Sequence, residues 1–284
     1  MERPLSSAET PRTDIDPLVE FCAAHRRLFV LTGAGVSTAS GIPDYRDADG
    51  EWKQRPPVDY RDFVSSAATR RRYWARSLVG WRRFVNAHPN AAHYALSELE
   101  QAGHIGHLVT QNVDDLHRRA GHRQVVDLHG RLASVLCLDC GSRFARAALQ
   151  MQLVLRNPHY RHVSAPDAPD GDAHLAEGDF SDFVVPACAA CGGLLKPDVV
   201  FFGENVPAER VSEAYSALAR ADAVLVIGSS LMVFSGYRFV RRAVEQGKRV
   251  AAINVGRTRA DDDLHLKVSA PCIPVLRKLL AALY

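Results

Sequence analysis

Short, mainly apolar runs recur along the chain at 28–32, 105–110, 125–128, 199–202, 223–227, 250–253 and 264–268. Runs of this length, too short for helices and mostly apolar, predict buried strands. Between most of them lie stretches such as 91–101, 208–220 and 235–246, whose apolar residues return at helical spacing. Strands separated by amphipathic helices predict a parallel sheet covered on both sides, an α/β, Rossmann-like, doubly wound fold. Near the start, Asp16-Pro17-Leu18 reads as a capped helix beginning with proline at its first position.

Two stretches break this rhythm. Residues 48–85 are rich in Arg, Trp and Tyr and read as helices and loops, and residues 131–195 hold four of the six cysteines. Together they are expected to form a smaller second domain built from two insertions, leaving 14–47, 86–130 and 196–284 as the larger, Rossmann-like domain. Residues 1–13, polar with two prolines, predict a flexible tail. The polar passage 157–182, with Pro158, Pro166, Pro169 and Gly171, reads either as a loop covering the site or as a surface insert. Arg70-Arg71-Arg72 reads as a solvated helix face.

Composition narrows the class. Thirty-five basic residues against thirty-two acidic ones give a formal charge of +3, too mild a surplus for a nucleic-acid binder. No apolar run reaches the ~18 residues of a membrane span. The first residues lack an apolar signal core and carry Glu2, Glu9, Asp14 and Asp16, so the expected location is cytoplasmic. The expected assembly state is a monomer.

In such a chain, cysteines point to metal or free thiols before disulfides. Cys137-x-x-Cys140-Gly141 and Cys188-x-x-Cys191-Gly192 are paired knuckles. A two-residue spacer lets both thiolates reach one ion, and the glycine permits the tight turn. Four thiolates fill every position of a tetrahedral zinc, so the predicted role is structural. Cys22 reads as core packing.

After the first strand comes Gly33-Ala34-Gly35-Val36-Ser37, the kind of turn that opens a dinucleotide fold. There Gly33 would allow the turn, Gly35 would let N–H groups approach phosphates, and the next helix N-terminus would favour anions. Thr38 stands where a third glycine would complete the dehydrogenase fingerprint, so by itself the loop reads equally as a bland turn. The longer string, continuing through Ala39, Ser40, Gly41, Ile42, Pro43, Asp44, Tyr45 and Arg46, resembles the NAD-binding signature of the sirtuins. So do Gln111-Asn112-Val113-Asp114, Leu128-His129-Gly130, the block from Lys196 to Glu204, Gly228-Ser229-Ser230, Asn254-Val255-Gly256 and the two knuckles. The blocks follow the family's order over roughly 15–275. Gly-Ile-Pro-Asp-Tyr-Arg, Tyr73-Trp74-Ala75-Arg76 and Tyr237-Arg238-Phe239 resemble the class II branch, whose animal member is the fourth mitochondrial sirtuin; a bacterial member is expected.

That resemblance implies an NAD-dependent lysine deacylase acting on acylated proteins, with one structural zinc. The acyl oxygen would attack the ribose C1′ as nicotinamide departs. His129, whose pKa class suits proton transfer near neutrality, would then help the 2′-hydroxyl attack the acyl carbon, giving O-acyl-ADP-ribose. Asn112 and Asp114 would line the nicotinamide pocket, although either alone also reads as a turn cap. Gln111 would face the ribose. Gly33, Ala34, Gly35, Ser37, Thr38, Ile42, Pro43, Asp44, Tyr45, Arg46 and Val113 would cradle NAD. Ser229 and Ser230 with Gly228 would meet phosphate or ribose, Asn254 with Val255 and Gly256 the adenosine ribose, and Cys272 the adenine. Val199, Phe201, Phe202 and Gly203 would pair with an extended substrate peptide, opposite 231–233, where Ser235 replaces a proline common in the family. Tyr73 and Arg76 resemble a pair that holds acidic acyl chains; the bland reading of Arg76 is a surface arginine. A protein mono-ADP-ribosyltransferase is the alternative activity, since it shares the first step. A dehydrogenase and a zinc-ribbon DNA binder are weaker, for want of the full fingerprint and of a basic stripe.

Overall fold

The computed structural model describes residues 14–53, 57–165, 173, 175 and 179–284. The expected tail at 1–13 and the middle of the 157–182 passage lie outside them. In chain order the strands are β1 (Leu28–Thr32), β2 (Ile105–Thr110), β3 (Val125–Asp127), β4 (Gly130–Cys137), β5 (Arg143–Ala145), β6 (Leu195–Val199), β7 (Ala223–Ile227), β8 (Val250–Ile253) and β9 (Leu266–Val268). The helices are α1 (Asp16–Ala24), α2 (Tyr60–Ser65), α3 (Ala67–Phe84), α4 (Ala91–Gln101), α5 (Leu116–Arg119), α6 (Arg146–Arg156), α7 (Ala208–Arg220), α8 (Phe234–Glu245) and α9 (Cys272–Leu283).

Six strands form one sheet in the order β3-β2-β1-β7-β8-β9, with every neighbour parallel. Its strands are mostly apolar because each face meets its own helices. Leu28 and Val30 of β1 pack with α1, α4 and α9, through Leu18, Leu96 and Leu276. Phe29 and Leu31 point the other way, onto Leu218 of α7 and Phe239 of α8. The period of two along a strand thus divides one apolar run between two layers.

The second sheet has three strands, β5-β4-β6, all antiparallel. Its core joins Phe63 of α2 and Tyr73, Trp74 and Leu78 of α3 to Val135, Leu149, Leu153 and Leu195. The two insertions therefore share one packed interior. Here the structure departs from the sequence pattern. The strand expected at 199–202 lies earlier, at Leu195–Val199, and pairs with β4 instead of joining the parallel sheet. Pro197 is accommodated because β6 is an edge strand. Beyond it Val200 N–H donates to His129 O at 2.8 Å, and Phe202 makes an isolated bridge to Asp59. The domain junctions expected at 130/131 and 195/196 consequently fall inside the small sheet, since Gly130 already pairs with Val199.

Two local corrections are smaller. Helix α1 starts one residue early, with Ile15 at the cap position and no side-chain cap. Arg70, expected on a solvated face, donates to Phe63 O and Val64 O and so ties α3 to the end of α2.

Candidate active site

The strand order reverses at β1, with β2 and β3 on one side and β7 to β9 on the other. At such a switch point the loops leaving the carboxyl ends diverge and open a crevice. A cleft of about 740 Å³ lies there, lined by the loops after β1, β2, β7 and β8 and by the 199–206 segment that leaves β6. Every NAD or substrate residue expected from the sequence lines it except Pro43 and Arg76.

The glycine loop does something other than the sequence suggests. Gly33 N–H donates to Ile227 O and Gly35 N–H to Gly228 O, so these donors are already spent. A Cβ on Gly33 would stand 2.7 Å from the Ser229 Cβ, and one on Gly35 3.0 Å from the Gly228 Cα. The glycines allow the β1 and β7 loops to touch, which brings Ala34 and Ser229 to one wall. Nor does a long helix follow. Ala34–Val36 and Thr38–Ser40 are two 3₁₀ turns, and Gly41, at φ 83°, ends the second.

His129 sits just past β3, where the chain crosses from the large sheet to the small one. Its Nδ1 lies 2.9 Å from Gln111 O, an obligate acceptor, so Nδ1 carries the proton. Nε2 is left as the acceptor, and the Ser235 hydroxyl, 2.7 Å away, donates to it. Burial is the main cause that lowers the imidazole pKa to about 4, with Arg210 and Arg238 adding to it and the Gln111 carbonyl opposing. At neutral pH the ring is therefore neutral, with one basic nitrogen.

Behind the cleft a connected polar cluster fixes Asn112 and Asp114. The Asn112 amide donates to Gly33 O at 3.1 Å and to Ser37 Oγ at 3.0 Å. Ser37 in turn donates to Asp114 at 2.7 Å, and Asp114 also accepts from Leu116 N–H at 2.9 Å. Burial raises the Asp114 pKa, while those two hydrogen bonds pull it back. His93 stands below, its Nδ1 accepting from Asn90 N–H, which leaves Nε2–H to face Ser37 Oγ at 3.5 Å. Gln111 accepts from Ser229 Oγ at 2.6 Å, joining the β2 and β7 loops.

Other expected residues lie further along the cleft. Asp44 pairs with Lys53 at 2.5 Å, and Arg46 lies over the Trp52 ring at 4.0 Å while donating to Gly50 O. Asn254 donates to Gly256 O, and the Cys272 thiol, its pKa raised by burial, faces Gly35 O at 3.7 Å. Tyr73 is buried and lines the cleft, packed edge-on against Phe201. Arg76, one helical turn on, is absent from the lining and donates to Ala173 O at 3.0 Å. The expected tyrosine–arginine pair is thus divided: Tyr73 faces the cleft, and Arg76 faces the 157–182 passage.

Several lining residues give no signal in the sequence. Trp52 carries no motif of its own, Arg238 stands out only within the Tyr237-Arg238-Phe239 resemblance and without a site role, and Ser235 only for the proline it replaces. Leu231, in the segment expected to face the substrate peptide, has its backbone in the left-handed region at φ 57°, and non-glycine residues held there cluster at functional sites.

The four knuckle cysteines meet as expected, all Sγ atoms lying within 4.8 Å of one another. Cys137 to Cys191 is 3.5 Å and Cys140 to Cys188 is 3.8 Å. Tetrahedral zinc with Zn–S near 2.3 Å sets its thiolates about 3.8 Å apart, so the donor set fits zinc. Each knuckle closes identically, with Gly141 N–H on Cys137 O and Gly192 N–H on Cys188 O. Both glycines are left-handed, at φ 73° and 77°, with open space where a Cβ would stand, so conformation and not crowding demands them.

Comparison with known proteins agrees with this geometry. The Sir2 family pattern matches residues 33–235. A Bordetella bronchiseptica protein named NAD-dependent protein deacetylase is 59% identical over 269 residues, which is 95% of this chain and 98% of that one. A Bradyrhizobium diazoefficiens protein named NAD-dependent protein deacetylase 2 is 59% identical over 93% of this chain and 96% of its own. Among solved structures, a Sir2 complex with a p53 peptide and NAD+ superposes with TM-score 0.76 at 29% identity, covering 94% of this chain and 98% of that chain. Another, holding a deacetylated p53 peptide and 3′-O-acetyl-ADP-ribose, gives 0.76 at 30%, with the same coverage. A switch-point cleft with a neutral histidine at its wall and a four-cysteine metal site beside it thus occurs in a chain that belongs to the Sir2 family, the sirtuins.

Proposed function

We propose that NAD binds along the switch-point loops of the large sheet, that the acyl-lysine enters between 199–206 and 231–235, and that His129 is the base. The protein is an NAD-dependent protein deacetylase, transferring the acyl group to ADP-ribose and releasing nicotinamide. NAD supplies the electrophilic ribose carbon and its leaving group; the chain supplies position and proton transfer. The cleft's apolar wall around Tyr73 and Phe201 excludes water, and Gln111, Asn112 and Asp114 are held rigid by the network described above. The four cysteines hold a structural zinc that anchors β4 to the segment leading into β6, and so fixes the peptide-facing 199–203 stretch.

The observation that carries this reading is the His129 ring itself. The Gln111 carbonyl fixes its tautomer and leaves Nε2 basic toward the cleft. Tyr45, Tyr73-Trp74-Ala75-Arg76 and Tyr237-Arg238-Phe239 support the class II branch. Among the described residues, no helix is long and apolar enough to cross a membrane.

The test is a panel of acylated lysine peptides incubated with NAD, following nicotinamide and identifying products by mass spectrometry. O-acyl-ADP-ribose in solution is expected, whereas ADP-ribose attached to protein would identify a transferase instead. His129→Gln should reduce product formation by roughly 10²–10⁴. Because the neutral ring is the active form and its pKa lies near 4, kcat/KM should stay level from pH 7.5 to 5.5. An acid limb near the ordinary histidine value would show that the ring is not so buried during turnover. Running Arg76→Ala through the same panel tests acyl choice: selective loss on glutaryl-lysine would return Arg76 to the acyl site, and equal rates would leave it as support for the passage around Ala173.

A further inference from the structure

At its peptide end the cleft does not stop. A second groove of about 670 Å³ runs along α7, lined by Val211, Ser212 and Tyr215, and it shares Asn205, Val206 and Arg238 with the cleft. Arg238 therefore stands on the threshold between the two. Its Nε is buried without a hydrogen-bond partner, and no carboxylate pairs with it among the described residues.

Two more guanidinium groups gather at the same mouth. The Phe234 ring, 46% exposed, has Arg238 at 5.4 Å, Arg241 at 5.9 Å and Arg259 at 5.9 Å from its centroid. Arg259 also lies 4.7 Å from the Tyr237 ring and donates to Met232 O at 3.2 Å, with no acidic partner among the described residues. Nearby acids are committed elsewhere. Glu245 faces Arg241 and Arg242, Asp263 accepts from Tyr237 OH, and Glu204 holds Lys196. Arginine forks beside an aromatic face, one with a desolvated and unpaired nitrogen, make a site that favours a carboxylate.

We infer that the polypeptide bearing the acyl-lysine runs on from the cleft into the α7 groove, and that Arg238, with Arg259 and Arg241 around Phe234, forms a subsite for an acidic side chain flanking the modified lysine. This rests on the deacetylase reading of the cleft. The unpaired Arg238 costs free energy in the empty protein and recovers it when a carboxylate arrives, so the gain appears in substrate binding and leaves the chemical step unchanged.

The experiment compares acetyl-lysine peptides carrying Glu or Gln at each of the three positions on either side of the lysine. At one or two positions on a single side, Glu should lower KM by roughly threefold to tenfold relative to Gln, the range for a half-buried ion pair, with kcat unchanged. Raising the salt to about 1 M should shrink the advantage, because screening acts on its exposed part. Arg259→Gln should lower the ratio, and Arg238→Gln should abolish it. Equal KM values for Glu and Gln at all six positions, with the Gln peptides turning over normally, would overturn the subsite while leaving the deacetylase intact. Fluorescence anisotropy on the same labelled pairs reads the preference without turnover, so an inactive preparation still decides it: a Glu advantage lost in Arg238→Gln supports the subsite, and identical affinities end it.

Discussion

The two lobes that face each other across the cleft are held together by different means. The six-stranded sheet is covered on both faces, and residues such as Leu108, Leu225 and Phe239 have essentially no exposure. Its stability comes from apolar area, at about 25 cal/mol per Å² removed from water. The small lobe has a three-stranded sheet, one strand of which, β5, spans three residues. Its interior mixes Trp74, Tyr73 and Phe63 with a buried Arg146, whose guanidinium lies 5.4 Å from the Trp74 ring centroid and 4.9 Å from that of Trp81. Burial lowers the Arg146 pKa to about 10, so the group remains charged inside the lobe at neutral pH. The small lobe adds to this interior a cluster of four cysteines placed to hold a metal. The lesson is that one wall of the cleft rests on burial alone, while the other also carries a metal site.

The largest effect should come from the metal. Removing zinc by chelation, or breaking the cluster with Cys188→Ser, forfeits an apparent binding free energy of roughly 10–16 kcal/mol. Hydrogen exchange should then show protection lost along β4 and β6 while β1, β2 and β7 stay protected. Uniform loss across both sheets would break the comparison by showing that the lobes fold as one unit.

A core truncation in the large sheet comes next. Leu225→Ala, at a residue 1% exposed, should cost about 2–5 kcal/mol, read as a lower urea midpoint for the large sheet. The zinc content should not change. Metal loss in this variant under native conditions would mean that the small lobe leans on the large one.

The smallest effect distinguishes the lobes by acid. The large lobe buries neutral histidines. His93 is lowered to about 3, chiefly by desolvation and also by His122; desolvation likewise lowers His117 well below its ordinary value and lowers His122. Folded pKa values below the unfolded ~6.5 mean that the unfolded chain takes up protons first. Stability is therefore full above that value and falls as the pH drops through it toward the folded pKa values. His93→Gln keeps an acceptor at the third helical position, which the Asn90 cap uses, and removes one titrating group. The decline of the melting temperature between pH 7 and 5.5 should become shallower. An unchanged slope would place the acid sensitivity elsewhere.

Much of this was legible in order along the chain. The strands at 28–32, 105–110, 223–227 and 250–253 are those the apolar runs predict, because a strand covered on both sides is mostly apolar along its length. The cysteine knuckles were legible because a metal dictates spacing. The run at 199–202 misled for the same reason that the others succeeded. Val199 to Phe202 is apolar because it lines a cleft and the small lobe's interior, and a run of letters does not say which sheet it joins. Arg76 likewise shares a helix face with Tyr73, yet its partner Ala173 lies far along the chain.

The sequence alone determined most strands of the large sheet, the zinc ligands and, through its resemblance, the family. Local rules govern these: the period of a strand, the reach of a two-residue spacer, the order of motifs. The tertiary structure decided what depends on atoms distant in the chain. It set the tautomer of His129 by a carbonyl at Gln111 and a hydroxyl at Ser235, spent the glycine-loop donors on the β7 loop, and left Arg238 Nε without a hydrogen-bond partner at the groove. Hydrogen bonds and burial act through space at a few ångströms, and only folding brings those residues within that range.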